Sequence, residues 1–449
     1  MTDAIKWLKN KDSHEKAYHL AVEKLLEWVK PILDRNPQFR RQAVIERFLE
    51  PERIIIFRVP WMDDQEQVHV NRGFRVEMNS AIGPYKGGLR FHPSSSLGIF
   101  KLLAMEQVLK NALTMLPIGG ARGGSDFDPK GKSDNEVMRF CQSYMAELGR
   151  HIGPDVDVPG TGLGVGAREV GFLFGAYKKQ RNEFSGVMTG KGPGWGGSQL
   201  RPESTGYGVG YFAAEMLAAH GQTLEGRRCL ISGSGNVAQF TAEKIIQLGG
   251  KVLTLSDSSG HIYDEEGIDA SKLAYVKRLK NLKRGRIHEY VDKYSETTYV
   301  ENSRGLDHNP LWSHKADCAF PCAYENELSI LDARHLIDNG VRLICEGADM
   351  PCTPEAAELL LESNVLFAPG TAANAGGVAI SCLEMAQNRM LLTWSRQEVD
   401  ARLQQIMKNI HRQCLETAAD FGHPRNYHLG ANIAGFSRVV YAMLDQGLI

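Results

Sequence analysis

The chain has 449 residues, 43% hydrophobic and 23% charged, with a formal net charge of −1. That length accommodates two or three domains with ample core, and a near-neutral balance gives a nucleic-acid partner no electrostatic support. No apolar run approaches the roughly 18 residues of a membrane span, and the polar start Met1-Thr2-Asp3-Ala4-Ile5-Lys6 is unlike a signal peptide.

Eight cysteines are scattered without a Cys-x-x-Cys pair. No metal site is therefore expected, and the thiols read as packed side chains of a cytoplasmic protein. In chain order, residues 14–33 repeat Tyr18, Ala21, Val22, Leu25, Val29 and Leu33 at helical spacing, giving one apolar face. Residues 53–59 read as a buried strand. Val68, Val70, Phe74, Val76 and Met78 share one parity, so 68–78 reads as an amphipathic strand. Residues 97–116 form a helix that ends at Pro117, and Gln107 and Lys110 share one of its faces.

That helix leads into Gly119-Gly120-Ala121-Arg122-Gly123-Gly124, where glycine density predicts a loop that binds a ligand. Lys86, Lys110 and Arg122 around it suit a small dianion. A helix over 134–150 precedes a second glycine-rich loop, 154–164. A domain boundary is expected near 200.

Beyond it, helices alternate with short strands, the pattern of a parallel α/β sheet. A helix over 205–220 leads to a strand over 228–232, then Gly233-Ser234-Gly235-Asn236-Val237-Ala238 and a helix over 239–248. A strand over 251–256 ends at Asp257, 24 positions after Gly233, close to the ~20 expected for a ribose-binding acid. Glycines between strand and helix place a pyrophosphate on the helix N-terminus, so this half reads as a Rossmann-like dinucleotide-binding domain. Strands ending near Ala323, Asp349 and Gly370 would line the same crevice. Helices over 398–421 and 431–444 close the chain.

Taken together, the stretches 83–93, 110–114, 123–131, 201–208, 233–238, 373–378 and 430–436 resemble the hexameric glutamate dehydrogenase family, in its order and spacing. The resemblance implies a two-domain α/β fold. Residues 1–200 with 425–449 would form a substrate-binding and oligomerisation domain, and 201–424 the NAD(P)-binding domain. It implies hydride transfer with glutamate or 2-oxoglutarate in a homohexamer; the charge balance and hydropathy already predict no membrane or nucleic-acid partner.

By motif, Lys86 and Ser381 would hold the substrate's side-chain carboxylate beside Val378, and Gln107 and Lys110 its α-carboxylate. Cofactor contacts would come from Thr205, Gly233, Ser234, Gly235, Asn236, Val237, Ser256, Asp257, Ala323 and Asn374, the last near the nicotinamide carboxamide. Ser256-Asp257-Ser258-Ser259 resembles the NADP-using bacterial branch, which ranks NADP above NAD.

Two departures bear on chemistry. Arg122 stands where the family places a lysine, and Gly162 where it places an aspartate. Arginine stays protonated and glycine carries no proton, so the ordinary proton transfer is expected to be impaired. Tyr324, Glu325, Asp349, Thr371 and Gly194-Trp195 also replace usual family residues. Three readings follow: an oxidoreductase of altered chemistry, such as an imine or alkene reductase; a subunit that only binds nucleotide and dicarboxylate; or an active site altered by design.

Overall fold

The structure, a computed structural model describing residues 2–302 and 307–448, divides the chain into two units. The first holds Met1–Arg201, Val378–Val399 and Asn432–Ile449; the second holds Pro202–Gly377 and Asp400–Ala431. Relative to the expected division, Arg201 and residues 378–399 fall with the first unit and 425–431 with the second.

The first unit is built on strands β1 (Arg53–Met62), β2 (Val68–Asn79), β3 (Tyr85–Phe91), β4 (Gly120–Ser125) and β5 (Asp157–Gly160), in the order β1-β2-β4-β3-β5. The glycine-dense stretch expected to be a loop is therefore the central strand, β4. It runs antiparallel to β2 and parallel to β3. Its glycines serve close packing. A Cβ at Gly120 would run into Val108 of the helix Leu97–Leu113, and one at Gly123 would lie 2.5 Å from the Phe74 carbonyl oxygen. Gly124 needs its positive φ of 145° and meets the Arg90 carbonyl. Ladder hydrogen bonds and burial outweigh the entropic cost of glycine here. The second glycine-rich segment likewise supplies β5, paired in parallel with β3.

Helix Leu97–Leu113 covers one face of this sheet, with Phe100 against Phe74. Helices Asp134–Leu148 and Ala167–Arg181 build the core of the other, where Tyr144 meets Phe57 and Phe91. The alternating face of β2 is split. Phe74, Val76 and Met78 are buried, whereas Val68 and Val70 are 68% and 62% exposed. With Ile56 and Met62 of β1 they form an uncovered apolar strip. At the other end Arg438, on the C-terminal helix Tyr427–Gln446, donates to the carbonyls of Ala112 (2.6 Å) and Leu116 (2.9 Å). That cation neutralises the terminus of helix Leu97–Leu113.

The second unit holds strands β6 (Arg228–Ile231), β7 (Lys251–Val252), β8 (Thr254–Asp257), β9 (Gly260–Tyr263), β10 (Thr298–Glu301), β11 (Cys318–Phe320), β12 (Leu343–Cys345) and β13 (Leu366–Ala368). A parallel sheet runs β13-β12-β11-β6-β7, as the alternating pattern predicts. The strand expected over 251–256 is interrupted at Leu253, because it changes sheets. β7 pairs with β6, while β8 joins the antiparallel set β10-β9-β8.

Candidate active site

In the first unit the expected substrate residues lie on β3 and on two helices. Lys86 is 2% exposed. Burial, with the Arg201 and Arg75 guanidinium groups nearby, lowers its ammonium to about 7, against a smaller opposing pull from Glu384 and Asp157. Gln107 and Lys110 are buried on helix Leu97–Leu113. Gln107 donates to Asn111 (2.6 Å), which donates to the Lys86 carbonyl (3.0 Å).

Arg122 lies on the same face of β4 as Gly120, toward that helix, and its Nη1 sits 2.9 Å from where a Cβ of Gly88 would be. On helix Gly376–Met390, Ser381 is buried and Val378 packs against Ile118 and Val158. Cys382 of that helix feels the Lys86 charge. Glu384, one turn further, is engaged with Lys191 at 2.8 Å and accepts from the backbone of Gly190 and Lys191.

Two members of this cluster escaped the sequence reading, which saw Arg201 only as part of a family stretch at a boundary. Arg201 donates through Nη2 to the Thr161 hydroxyl at 2.8 Å and faces Lys86 electrostatically. Thr161 sits among glycines that drew the attention instead. Gly162 follows it, and a Cβ there would collide with the Leu89 carbonyl oxygen.

In the second unit, Gly233 has φ 81°, with the Cys322 carbonyl oxygen 3.1 Å and the exposed Ala323 Cα 3.2 Å from its Cβ position. Only glycine fits that turn. Gly233 N–H donates to Ser256 Oγ (2.7 Å), joining the two strand ends. Gly235 caps the helix Asn236–Gln247 with no side-chain bond, and no neighbouring atom lies within 4 Å of its Cβ position. The amides of Asn236 and Val237 thus open the helix toward a ligand. The Ser234 carbonyl accepts from Gln239 (2.7 Å). Thr205 lies in the first turn of helix Ser204–Ala218. Asn374 donates to the Gly347 carbonyl (3.2 Å) and to Asp349 (2.9 Å).

Asp257 is held by the protein. It accepts from Lys280 Nζ and the Ile287 amide at 2.8 Å each, and from Ser259 Oγ at 2.6 Å. These donors overcome burial and lower its carboxyl to about 2. Arg286 donates to Ser258 at 2.9 Å. The turn after β8 therefore carries two cations beside three serines. The signal available was the basic run Lys280 to Arg286, far from the glycine motif. Among the described residues no group of three metal-ligating side chains occurs.

Known proteins resemble this chain over nearly their whole length. A family profile described as Glutamate/Leucine/Phenylalanine/Valine dehydrogenase matches residues 196–447, and one for the dimerisation domain of the same enzymes matches 51–179. NADP-specific glutamate dehydrogenases of Giardia intestinalis and Salmonella typhimurium are each 53% identical over 442 residues, covering 98% of this chain and 97% of each relative. A crystal structure of Plasmodium falciparum glutamate dehydrogenase superimposes with a TM-score of 0.97 at 46% identity, covering 100% of this chain and 95% of that one. A sheet carrying the buried Lys86, joined in one chain to a parallel sheet with a glycine turn and matched over this extent, places the protein in the Glu/Leu/Phe/Val dehydrogenase family.

Proposed function

We propose that this chain is a glutamate dehydrogenase-like oxidoreductase that uses NADP and a glutamate- or 2-oxoglutarate-like dicarboxylate, with its proton-transfer chemistry impaired. The observation that carries this reading is the buried Lys86 with the partly buried Arg201 beside it, in a unit that also buries Lys110 and whose position 162 has no room for a side chain. Fixed cations in a partly buried site favour a dianion.

Lys86 and Ser381 take the side-chain carboxylate beside Val378, and Gln107 and Lys110 the α-carboxylate. Arg122 donates hydrogen bonds to the carbonyl oxygen but returns no proton. NADP, when bound, gives or takes the hydride. The residues present fit it. Gly233–Val237 offer open amides to the pyrophosphate, Ser256 joins the strand ends, and Lys280 and Arg286 offset Asp257 so that a 2′-phosphate is tolerated. Thr205, Ala323 and Asn374 complete the nucleotide half, which we assign to the second unit.

A second reading, a subunit that binds both ligands without turnover, is favoured by the same lack of room at Gly162. The test is NADPH oxidation with 2-oxoglutarate and ammonia beside an ordinary relative. A rate lower by about 10²–10⁴ is expected, with both ligands still bound. An equal rate overturns the impairment, and binding with no turnover on any oxo acid selects the second reading.

The uncovered strip of Ile56, Met62, Val68 and Val70 lies in the region matched by the dimerisation profile and supports assembly into a homohexamer. No helix among the described residues is long and apolar enough to cross a membrane, and we assign the protein to the cytoplasm.

A further inference from the structure

We propose that Thr161 is a positioning residue: its hydroxyl holds the Arg201 guanidinium beside Lys86, so that the two cations receive one carboxylate of the ligand together. The inference rests on the dicarboxylate reading above and concerns a residue which that reading does not use.

Thr161 cannot move. Its carbonyl presses on Gly88 of β3, where any Cβ would collide with it. Its methyl lies 2.5 Å from the Cβ position of Gly190, which is glycine with φ 88°. Gly190 is fixed in turn by its N–H bond to Glu384 at 3.0 Å. The backbone of Thr161 is thus clamped between β3 and the segment around Gly190, and the hydroxyl has one place to be. That place is 2.8 Å from Arg201 Nη2.

The arrangement opposes simple electrostatics. Arg201 is the foremost charge acting against the Lys86 ammonium; Lys86 is buried and Arg201 partly so. Left to repulsion, a flexible guanidinium would turn away from a second cation. A neutral acceptor on one of its donors counters that, and it does so without neutralising the charge the ligand needs. A carboxylate in place of Thr161 would neutralise it; an alkyl group would remove this acceptor. The local glycines fit the same account. Gly160, Gly88 and Gly190 each leave the space that Thr161, Lys86 and Arg122 occupy.

The test is calorimetric binding of 2-oxoglutarate to the full-length protein carrying Thr161→Val, which keeps shape and loses the hydroxyl, and Thr161→Ser, which keeps the hydroxyl. T161V should weaken binding by about tenfold or more, as expected for losing a bond to a charged group, with NADPH affinity within twofold of wild type. T161S should bind like wild type. In an Arg201→Gln background, T161V should have no further effect. Equal affinity of wild type and T161V, or the same loss in both backgrounds, overturns the inference. The Arg201 rotamer in crystals of the two variants is read without any ligand. If wild type binds no dicarboxylate, the functional reading fails. An unmoved Arg201 in T161V refutes the positioning role on its own.

Discussion

Lys86 is the residue whose environment says most about ligand binding. Free, its ammonium is held near 7 by burial and two guanidinium groups; a bound dianion restores the charged form. Binding of 2-oxoglutarate at pH 8 should therefore take up close to one proton, and at pH 6 almost none. Calorimetry at pH 8 in buffers of different ionisation heat measures this directly, and a buffer-independent heat at pH 8 refutes it. Gly162 gives a second prediction at this scale. Restoring the family's pair with Arg122→Lys and Gly162→Asp returns a titratable amine, but the aspartate Cβ meets the Leu89 carbonyl oxygen. The double variant should lose about 1–3 kcal/mol of stability to overpacking and gain little activity over Arg122→Lys alone. Full activity in a stable double variant would show that the backbone yields. Motifs mark Lys86, Gln107, Lys110, Arg122 and Ser381 as candidates because chemistry ties residue type to position. Thr161 and Arg201 were not legible as a pair, because 40 residues and no motif separate them.

At the scale of elements, glycine was the residue most easily misread. Density alone argues for a loop, yet β4 shows that glycine in a central strand marks backbones brought too close for side chains. Two nearby glycines separate conformational from steric need. Gly124 and Gly131 both have positive φ, but only Gly124 is crowded by the Arg90 backbone, and Gly131 has nothing within 4 Å. Gly131→Ala should cost about 1 kcal/mol. Gly124→Ala should leave the sheet unable to form and give insoluble or unfolded protein; comparable denaturant midpoints for the two would refute the packing account. The turn after β8 carries the cofactor prediction. Arg286 and Lys280 surround Ser256–Ser259, so Arg286→Ala should lower the NADPH-over-NADH binding preference by about tenfold, whereas a purely structural arginine would weaken both alike. The basic run was visible in the sequence. Its return to the end of β8 was not, since it depends on the intervening antiparallel strands.

At the scale of the whole molecule, the two-part α/β fold was legible because periodicity, glycine turns and strand ends agree with one another. The sheet orders were not, since pairing is set by non-local registers such as β3 with β5. Burial of every cysteine has a consequence for stability that no single site carries. Seven of the eight thiols are held above their ordinary value: Cys229 foremost by its Cys318 neighbour and then by burial, and Cys141, Cys322, Cys345, Cys352, Cys382 and Cys414 foremost by burial. As pH rises past about 9, the unfolded chain releases these protons and the folded chain keeps them, so the folded state binds more protons and stability falls. Each such thiol removes up to about 1.4 kcal/mol per pH unit. Lys86 and Lys191 act in the opposite direction, because burial lowers both and the unfolded chain keeps their protons longer. Two groups offset only part of seven, and total stabilities run to about 5–15 kcal/mol. The melting temperature in reductant should therefore vary little from pH 7 to 8.5 and collapse between about pH 9 and 10.5, with thiolate absorbance rising in the same transition. A melting temperature unchanged at pH 10, or an absorbance rise that precedes unfolding, would show that the thiols ionise within the folded protein.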